Sequence, residues 1–411
     1  MNKDKFICEE GKCTLCKACA AICPKKCVTY IKDRVNNEIA VKGNVCINCG
    51  LCEKVCPVNN PVESHEIINC YSAWSRDDDT RKKSASGGVA SELYKYEIKV
   101  LSGYIVGTSM RNNRAEYSVN SDLEAISDFQ NSKYTLSDTN TVFQEIKELL
   151  IEGKSVTFVG VPCHVAGLKN YLAISHINME TLFLVDLICH GCVSPDYLRE
   201  HIERIETRKH ITVDSVSFRN PDYGTENYWF TLGSQGKVKY KKRVYRNDEY
   251  QVGYHKGIIY RNCCYTCRYA DTHRTGDVTL ADFSGVGTVI PSPYSNKKVS
   301  CVLTNTIKGD DRIKNLSMTN QIYLEERPLE EELNHEQQLH TPTKLSNETI
   351  KFQEAYAKGK TFDQSINIAC FKIIFVNELK HFFMIEKIKV ILSKIVPSAI
   401  KRRIKSVRNK L

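Results

Sequence analysis

The sequence predicts three parts: a small α+β domain over residues 1–62, an α/β body over residues 63–340 and a helical C-terminal tail over residues 341–411. Eleven of the 19 cysteines lie between residues 8 and 70, which marks the first part as a separate unit. Past residue 70, apolar strand-like segments alternate with helical ones, the order typical of α/β proteins. From residue 371 onward, apolar and cationic residues recur at the spacing of an amphipathic helix.

The composition indicates a globular protein with more than one domain. The 411 residues are 42% hydrophobic and 26% charged. No uninterrupted apolar run reaches the length of about 18 residues that a membrane span needs, and the N-terminus lacks the apolar core of a signal peptide. We therefore expect a cytoplasmic, reducing location, where clustered cysteines act as metal or redox ligands before they act as disulfides.

A cysteine motif is repeated in the first domain. The pattern Cys-x2-Cys-x2-Cys-x3-Cys-Pro occurs twice, with a period of 33 residues. Three closely spaced thiolates of this pattern hold one cubane cluster, and the fourth ligand comes from the other half of the domain. The predicted 4Fe-4S ligands are Cys13, Cys16, Cys19 and Cys56 for cluster one, and Cys46, Cys49, Cys52 and Cys23 for cluster two. Two zinc sites are the alternative, although zinc usually takes two separated cysteine pairs.

Residues 8–60 resemble a bacterial-type two-cluster ferredoxin domain, which conducts electrons and is not a catalyst. Cys8 and Cys27 lie outside the repeat, and Cys70 follows the linker after it. We expect these three thiols to be structural or incidental.

The body is expected to alternate helices and strands in the order of an α/β core. The predicted elements are a helix around 88–98, a strand over 100–110, a helix near 140–151, a strand over 155–160, a helix after Pro162 and a strand over 181–189. Residues 214–220, 228–234 and 237–243 then indicate a more antiparallel portion with charged solvent faces.

Three short strings in the body are typical of ligand binding. Ser86, Gly87 and Gly88 open a helix whose free N–H groups suit a phosphate or pyrophosphate, although an ordinary capped helix start explains this string more readily when it is taken alone. Ser132, Lys133 and Tyr134 place a cation beside a stacking ring. Pro162 stands where a strand turns into a helix, the position at which α/β proteins hold their ligands.

The body also contains six cysteines near strand ends or in one loop. A strand-end pair and a CxxC motif supply four thiolates, so Cys163, Cys189, Cys264 and Cys267 are the predicted ligands of a third 4Fe-4S cluster. Cys192 and Cys263 are the spare candidates for this set. Zinc and buried unreactive thiols are the alternatives.

The strings SASGGV, NSKY, GVPCHVAGLK, DLICHG and CCYTCRYADTHRTGDVTLADFSG resemble, in this order, the coenzyme F420 hydrogenase/dehydrogenase beta-subunit family. The resemblance spans about residues 8–310. It implies a flavoprotein-like body that holds FAD next to an iron–sulfur cluster and exchanges electrons with a deazaflavin or another acceptor. It also implies a link to polysaccharide metabolism, because bacterial relatives are often encoded beside polysaccharide-modifying enzymes. Val161, His164, Asn131 and Ser284 depart from the usual family strings, so the deazaflavin substrate is not carried over to this chain.

These observations predict an oxidoreductase that relays electrons from a low-potential donor through 4Fe-4S clusters to FAD and an organic acceptor. The donor would be ferredoxin, a reduced deazaflavin or a nicotinamide. His164, His190 and Asp282 are the candidate catalytic residues, since each could donate a proton or tune the flavin. Each also has an ordinary structural explanation. The alternative function is a non-catalytic electron-transfer subunit that serves a separate partner enzyme.

The tail concentrates the positive charge of the chain. The net charge is +10, from 58 Lys or Arg and 48 Asp or Glu, and residues 371–411 alone hold eleven cations and two Glu. The rest is therefore near neutral, which argues against a nucleic-acid partner. A basic amphipathic helix of this kind suits peripheral contact with the inner face of a membrane or with an acidic partner. Packing of its apolar stripe on the body is the alternative.

Overall fold

The computed structural model describes residues 5–244, 247–295 and 298–382. Most of the basic tail, residues 383–411, lies outside the described residues.

The first domain consists of two short helices and a two-stranded antiparallel sheet. Its elements are α1 (Ala18–Ile22), β1 (Val28–Lys32), β2 (Glu38–Lys42) and α2 (Leu51–Lys54). Helix α1 ends at Cys23 because Pro24 follows, and a proline cannot continue the hydrogen-bond ladder of a helix. Helix α2 starts after Gly50, whose φ of +77° suits a residue without a side chain. Both helices are therefore single turns, and the cysteines lie in and around them. This is the predicted α+β arrangement.

The described residues after the ferredoxin domain contain eleven strands and twelve helices. The strands are β3 (Asn69–Ser75), β4 (Tyr104–Arg111), β5 (Arg114–Asn120), β6 (Val156–Gly160), β7 (Leu182–Leu187), β8 (Ser215–Ser217), β9 (Trp229–Ser234), β10 (Lys237–Arg243), β11 (Val278–Asp282), β12 (Ser300–Thr304) and β13 (Ile322–Glu326). The helices are α3 (Asp78–Lys83), α4 (Val89–Leu101), α5 (Ile126–Phe129), α6 (Val142–Ile151), α7 (Pro162–Ile174), α8 (Pro195–Lys209), α9 (Glu249–His255), α10 (Ile307–Met318), α11 (Glu330–Leu333), α12 (Asn347–Ala357), α13 (Phe362–Ala369) and α14 (Phe371–Phe382).

Eight strands form one mixed sheet in the order β13-β3-β12-β11-β7-β6-β4-β5. The four neighbours β11, β7, β6 and β4 are parallel, and the pairs outside them are antiparallel. Strands β6 and β7 are buried along nearly their whole length, as expected of parallel strands covered by helices on both faces. The α/β class is thus confirmed at the level of a mixed sheet with helices, and antiparallel strands extend it at both edges.

The parallel strands direct the candidate residues to one edge of the sheet. Ser86 follows the carboxyl end of β3, Pro162 follows β6, Cys189 follows β7, and Asp282 ends β11. Residues after the carboxyl ends of parallel strands meet at the same edge. Ser86, Pro162, Cys189 and Asp282 therefore lie at the same edge of the sheet.

A second core lies beside the large sheet. The antiparallel sheet β10-β9-β8 packs with α8, α9, α12 and α13. Its buried aromatic side chains include Tyr197, Phe230, Tyr250, Phe352 and Phe362. The last two lie within residues 341–370, which the sequence placed in the tail. Because their side chains complete this core, the tail begins nearer residue 370.

Helix α14 is the described start of the tail. Phe371 and Phe375 are 68% and 54% exposed, and Val376 and Leu379 are also exposed. Among the described residues, no helix has both the length and the apolar character that a membrane crossing needs.

Candidate metal centres

The four cysteines predicted for cluster two line one small cavity at the outer end of the ferredoxin domain. They are Cys23, Cys46, Cys49 and Cys52. Cys49 is exposed, and Cys23 and Cys46 are half-buried. Cys27 also lines this cavity, with its Sγ 3.5 Å from the Sγ of Cys23. A fifth thiol, which the sequence reasoning treated as incidental, therefore lies beside this quartet.

The four cysteines predicted for cluster one line a second cavity, on the side of the domain that faces the body. They are Cys13, Cys16, Cys19 and Cys56, and all four are buried. The thiol of Cys8 hydrogen-bonds to Cys13 and Cys56. These hydrogen bonds lower the pKa of Cys13 to about 6 and that of Cys56 to about 7. Burial instead raises the pKa of Cys16 to about 12 and also raises that of Cys19, so the two pairs of thiols in this site are shifted in opposite directions.

All six cysteines of the body's strand ends and cysteine loop line a third cavity, of about 360 Å³. Cys163 lies in the first turn of α7, Cys189 and Cys192 follow β7, and the others lie in the loop after α9. The backbone N–H of Cys192 donates to the Sγ of Cys264 over 3.3 Å. The structure thus brings the predicted quartet and its two spare candidates together. Their thiolates, which come from three loops, could bind an iron–sulfur cluster.

A buried carboxylate fixes the loop that carries three of these cysteines. Asp186, fully buried in β7, accepts hydrogen bonds from Arg274 over 3.0 Å and from Thr279 over 2.6 Å. It also accepts from the backbone N–H groups of Thr275 and Gly276. A buried charge is stable only with such partners, so the chain after the cysteine loop is held firmly to the sheet.

Arg261 connects the ferredoxin domain to the third cavity. Its side chain is 3% exposed, and its Nη2 donates to the carbonyl oxygens of Cys13 and Glu38, each over 2.9 Å. Its Nε and Nη1 are buried without a hydrogen-bond partner. Arg261 lines the third cavity, and its charge contributes to lowering the pKa of Cys263, after the hydrogen bond from Cys264, to about 7. The cation therefore faces thiols on both sides of the domain boundary.

One face of helix α7 contacts both the cavity predicted for cluster one and the third cavity. Cys163 and Gly167 are four residues apart, so they share one face of the helix. A Cβ atom on Gly167 would lie 2.7 Å from both the Cβ and the Sγ of Cys16. Only glycine allows this approach, and it brings the ferredoxin domain against the helix that also supplies a cysteine of the third cavity.

The predicted phosphate-binding string is packed against the sheet. The hydroxyl of Ser86 donates to the carbonyl of Val299 over 2.9 Å, and the N–H of Gly87 donates to the hydroxyl of Ser300 over 2.9 Å. Gly88 has φ +93° and begins α4 without a side-chain cap. The hydrogen-bonding groups of Ser86 and Gly87 are therefore already used within the fold.

The second string is also engaged internally. The ammonium of Lys133 donates to the carbonyls of Asp128, Gln130 and Asn131, and burial lowers its pKa to about 7. The ring of Tyr134 stacks on Tyr254 with centroids 4.3 Å apart.

The two remaining residues predicted to bind a ligand, Ser132 and Pro162, lie in different surroundings. Ser132 lines a separate polar cavity of about 240 Å³. Pro162, at the first position of α7, lines the third cavity.

Cationic side chains surround the loop that contains Ser86. Lys298 donates to the carbonyls of Arg81 and Ser84 over 2.7 and 2.6 Å. Burial, together with the nearby charges of Arg219 and Arg81, lowers the pKa of Lys298 to about 8. The guanidinium of Arg219 lies over the ring of Tyr228 at 4.3 Å. The positive charges of these three side chains around one glycine-containing loop would attract an anionic ligand.

The three predicted catalytic residues lie in different environments. His164 is fully buried, its Nδ1 is 3.3 Å from the hydroxyl of Tyr117, and burial lowers its pKa to about 4. His190 lines the third cavity, and its Nε2 is 3.9 Å from a carboxylate oxygen of Glu336. Asp282 accepts a hydrogen bond from Arg219 over 2.8 Å. The structure thus places only His190 at the third cavity.

Several residues near these sites were not predicted. They are Cys8, Cys27, Arg261, Arg219 and Tyr228. Cys8 and Cys27 carried a signal, since each lies close in sequence to predicted ligands. The others are brought in by tertiary packing, which motif spacing does not report.

Three segments of the chain match family profiles. Residues 70–144 match the N-terminal part of the coenzyme F420 hydrogenase/dehydrogenase beta subunit, and residues 153–332 match the C terminus of the same beta subunit. Residues 12–60 match the 4Fe-4S dicluster domain. These matches cover the ferredoxin domain and most of the body.

Similar proteins include two subunits of methanogen oxidoreductases. The F subunit of the F(420)H(2) dehydrogenase of Methanosarcina mazei is 25% identical over 219 residues, which cover 49% of this chain and 61% of that protein. The VorC subunit of the ketoisovalerate oxidoreductase of Methanothermobacter marburgensis is 30% identical over 69 residues, which cover 16% of this chain and 86% of that protein. The chain thus spans about three fifths of the dehydrogenase subunit.

A solved structure, from the F420-reducing [NiFe] hydrogenase complex of Methanosarcina barkeri, aligns with a TM-score of 0.44 and 18% identity. The alignment covers 78% of this chain and 96% of that one.

Proposed function

Because the chain belongs to the coenzyme F420 hydrogenase/dehydrogenase beta-subunit family, we propose that it is an iron–sulfur electron-transfer subunit of an oxidoreductase complex. The observation that carries the proposal is the series of three cysteine-lined cavities that runs from an exposed end of the ferredoxin domain into the body. Such a series suits one-electron transfer between bound clusters. The similar proteins named above are themselves subunits, which supports the same interpretation.

The cluster ligands follow from the cavities. In this proposal the buried quartet holds cluster one and the outer quartet holds cluster two, as the repeat predicts. The third cluster takes four of the six body cysteines, with Cys163, Cys189, Cys264 and Cys267 as the set to be tested first. Arg261 supplies positive charge next to clusters that carry net negative charge, and it thereby favours their reduced states.

A flavin in the body is a second, finer proposal. Arg81, Arg219 and Lys298 provide the charge that the pyrophosphate of FAD requires, whereas Ser86 and Gly87 would have to exchange their present hydrogen bonds. FAD would convert one-electron into two-electron transfer. A chain with bound FAD would by itself reduce an organic acceptor. This is the relay to FAD predicted from the sequence.

Peripheral contact with a membrane or an acidic surface remains a proposal for the tail. The exposed apolar side chains of α14, Phe371 and Phe375 among them, support it. Flotation of the holoprotein with anionic liposomes, compared with a chain that ends at residue 370, tests it. Equal flotation of both chains would refute a role of the tail in lipid binding.

Anaerobic purification with iron, sulfide and flavin counted per chain tests the main proposal. Two clusters require about eight irons and three clusters about twelve. We expect about twelve irons, a cluster signal in electron paramagnetic resonance (EPR) after dithionite reduction, and a fall of about four irons in Cys16→Ser. Cys370→Ser, a buried cysteine outside the cavities, is the matched control. A reconstituted protein without iron would refute the proposal.

The purified chain also separates the two proposed functions. If the chain is an electron-transfer subunit, we expect it to contain no flavin and to accept electrons. By itself, it should reduce no organic acceptor. Bound FAD, with turnover of an acceptor by the chain alone, would replace the subunit by the independent reductase.

A further inference from the structure

We propose that the exposed surface over cluster two is the docking face for an acidic one-electron carrier protein. The docking face consists of Pro24, Lys25, Lys26, Val45, Ile47, Asn48 and Cys49, all of them exposed. The inference rests on the proposed function, because it identifies where electrons enter the relay and which chemistry delivers them.

The first observation is the difference in exposure between the cluster sites. Cys49 is exposed, whereas the four ligands predicted for cluster one are all buried. The six cysteines of the third cavity are half-buried, so Cys49 is the one exposed thiol among the described residues of the three sites. Cluster two therefore presents the most accessible ligand to a protein partner.

The second observation is an apolar centre around the exposed ligand. Val45 is 68% exposed and Ile47 is 56% exposed, and they flank Cys46 in sequence. Large aliphatic side chains exposed side by side in so small a domain are typical of an interaction site. An apolar centre with a polar rim is also the usual anatomy of a protein interface.

The third observation is the charge of the rim. Lys25 and Lys26 are exposed, and neither ammonium belongs to an ion pair in the described part of the chain. Lys5 adds a third cation, since its Nζ lies 3.4 Å from the side chain of Asn44, next to Val45. The nearby carboxylate of Glu53 is bound by Lys42 at 2.7 Å. The rim is therefore positive.

The charge decides between possible occupants. The tail of this chain is itself basic, with eleven cations and two Glu in residues 371–411, so it is repelled. A second copy of the same face is repelled for the same reason. An acidic carrier is attracted, and electrostatic attraction raises association rates most for small, transient interfaces such as those of redox partners.

The test uses the reconstituted holoprotein and a reduced, acidic two-cluster ferredoxin as the probe. Stopped-flow absorbance measures the rate of electron transfer, and biolayer interferometry measures binding of the oxidised probe. We expect the rate to fall about tenfold between low and high ionic strength, because salt screens exposed charges. In Lys25→Glu/Lys26→Glu we expect the rate to fall about tenfold at low salt and binding to weaken in parallel.

The matched control is Lys237→Glu/Lys239→Glu, which reverses two exposed lysines on β10 of the small sheet. We expect wild-type rates and binding for this control. Ile47→Asp should weaken binding at every salt concentration, since it removes the apolar centre. The EPR signal after dithionite reduction should be equal in all variants, which shows that the clusters are intact.

A rate that does not change with salt or with Lys25→Glu/Lys26→Glu would overturn the docking face. The proposed function would then still stand if dithionite reduces the clusters. Failure of dithionite to reduce any cluster would instead refute the relay. Self-association of the holoprotein that is lost in the double variant would assign the face to a second copy and overturn the acidic carrier.

Discussion

At the scale of single residues, the cysteines were predictable and their charged neighbour was not. The eight ferredoxin ligands follow a spacing that local geometry alone dictates, and the cavities group them as the spacing predicts. Arg261 joins them only in three dimensions, because its carbonyl partners belong to Cys13 and Glu38, more than 200 positions earlier in the chain. Sequence spacing holds no signal for such a contact.

Arg261 leads to a prediction about redox potentials. In the structure it has no carboxylate partner at hydrogen-bonding distance among the described residues, so the thiolates are its counter-charge. In Arg261→Met we expect the midpoint potentials of cluster one and of the third cluster to become more negative, because a positive charge stabilises the reduced state. An EPR-monitored redox titration measures both potentials.

Two variants control the Arg261 experiment. Arg261→Lys keeps the positive charge, so its two midpoint potentials should stay close to those of the wild type. Lys32→Met removes a different interdomain cation, which binds Asp196 over 2.6 Å, and should leave the potentials unchanged. Equal potentials in Arg261→Met and the wild type would contradict the role assigned to the guanidinium.

At the scale of elements, α7 links the two parts of the relay. The sequence predicts this helix from Pro162 onward, since proline suits the first helical position. The sequence could not predict that Gly167 faces Cys16. A glycine inside a helix lowers helix stability, and the sequence alone does not show which contact requires it. Tertiary packing supplies the reason here.

Gly167→Ala separates helix propensity from packing. Alanine favours the helix by about 1 kcal/mol, but the added Cβ meets the Cβ and Sγ of Cys16 at 2.7 Å. We expect a net loss of about 1–3 kcal/mol in the free energy of unfolding, together with an altered EPR signal of cluster one. Ala173→Gly, on the exposed side of α7, should cost about 1 kcal/mol without a change in that signal. A more stable Gly167→Ala protein would refute the close packing.

The helices α8, α9 and α13 meet at a buried charge cluster. His201 lies between Asp248, at 3.0 Å, and Asp363, at 2.7 Å. Burial opposes the charge on His201, but the two carboxylates outweigh it and raise the pKa of the imidazole to about 10. An imidazolium with a raised pKa stabilises the fold fully below its unfolded pKa of about 6.5, and this contribution disappears as the pH rises through 10.

His201→Gln should therefore destabilise the protein most at about pH 6, below the unfolded pKa of the imidazole of about 6.5. Removing one partner of a buried ion pair costs about 3–5 kcal/mol, and the difference from the wild type should shrink as the pH approaches 10. Urea unfolding at several pH values measures both effects. His210→Asn, at the exposed end of α8, is the control and should follow the wild type. A pH-independent difference would contradict the charged state of His201.

At the scale of the whole molecule, local sequence patterns do not show how residues 341–370 pack. Polar helices over residues 341–370 resemble a solvated tail in sequence. Their apolar residues, Phe352 and Phe362 among them, complete a core whose other buried members come from residues 193–265. Such long-range partners are not visible in local periodicity.

Cluster removal should weaken the entire molecule. The ferredoxin domain contacts the body through Lys17–Asp138 and Lys32–Asp196 ion pairs and through the packing of Cys16 on α7. Because bound clusters stabilise only the folded state, we expect the melting temperature to fall by roughly 5–10 °C after oxidative removal of iron with a chelator. Calorimetry measures the shift. Incubation with the chelator alone is the control, and unchanged melting after complete iron loss would contradict the coupling.

The burial of Cys13, Cys16, Cys19 and Cys56 beneath the body constrains how the protein matures in the cell. We expect the proposed cluster one to be inserted before the ferredoxin domain closes onto α7, because an assembly factor has no access to thiols that are already enclosed. The outer site, with Cys49 open to solvent, can be filled or repaired afterwards. We therefore expect the buried site to be loaded before the exposed one, and the exposed site to be the first to lose its metal under oxidation.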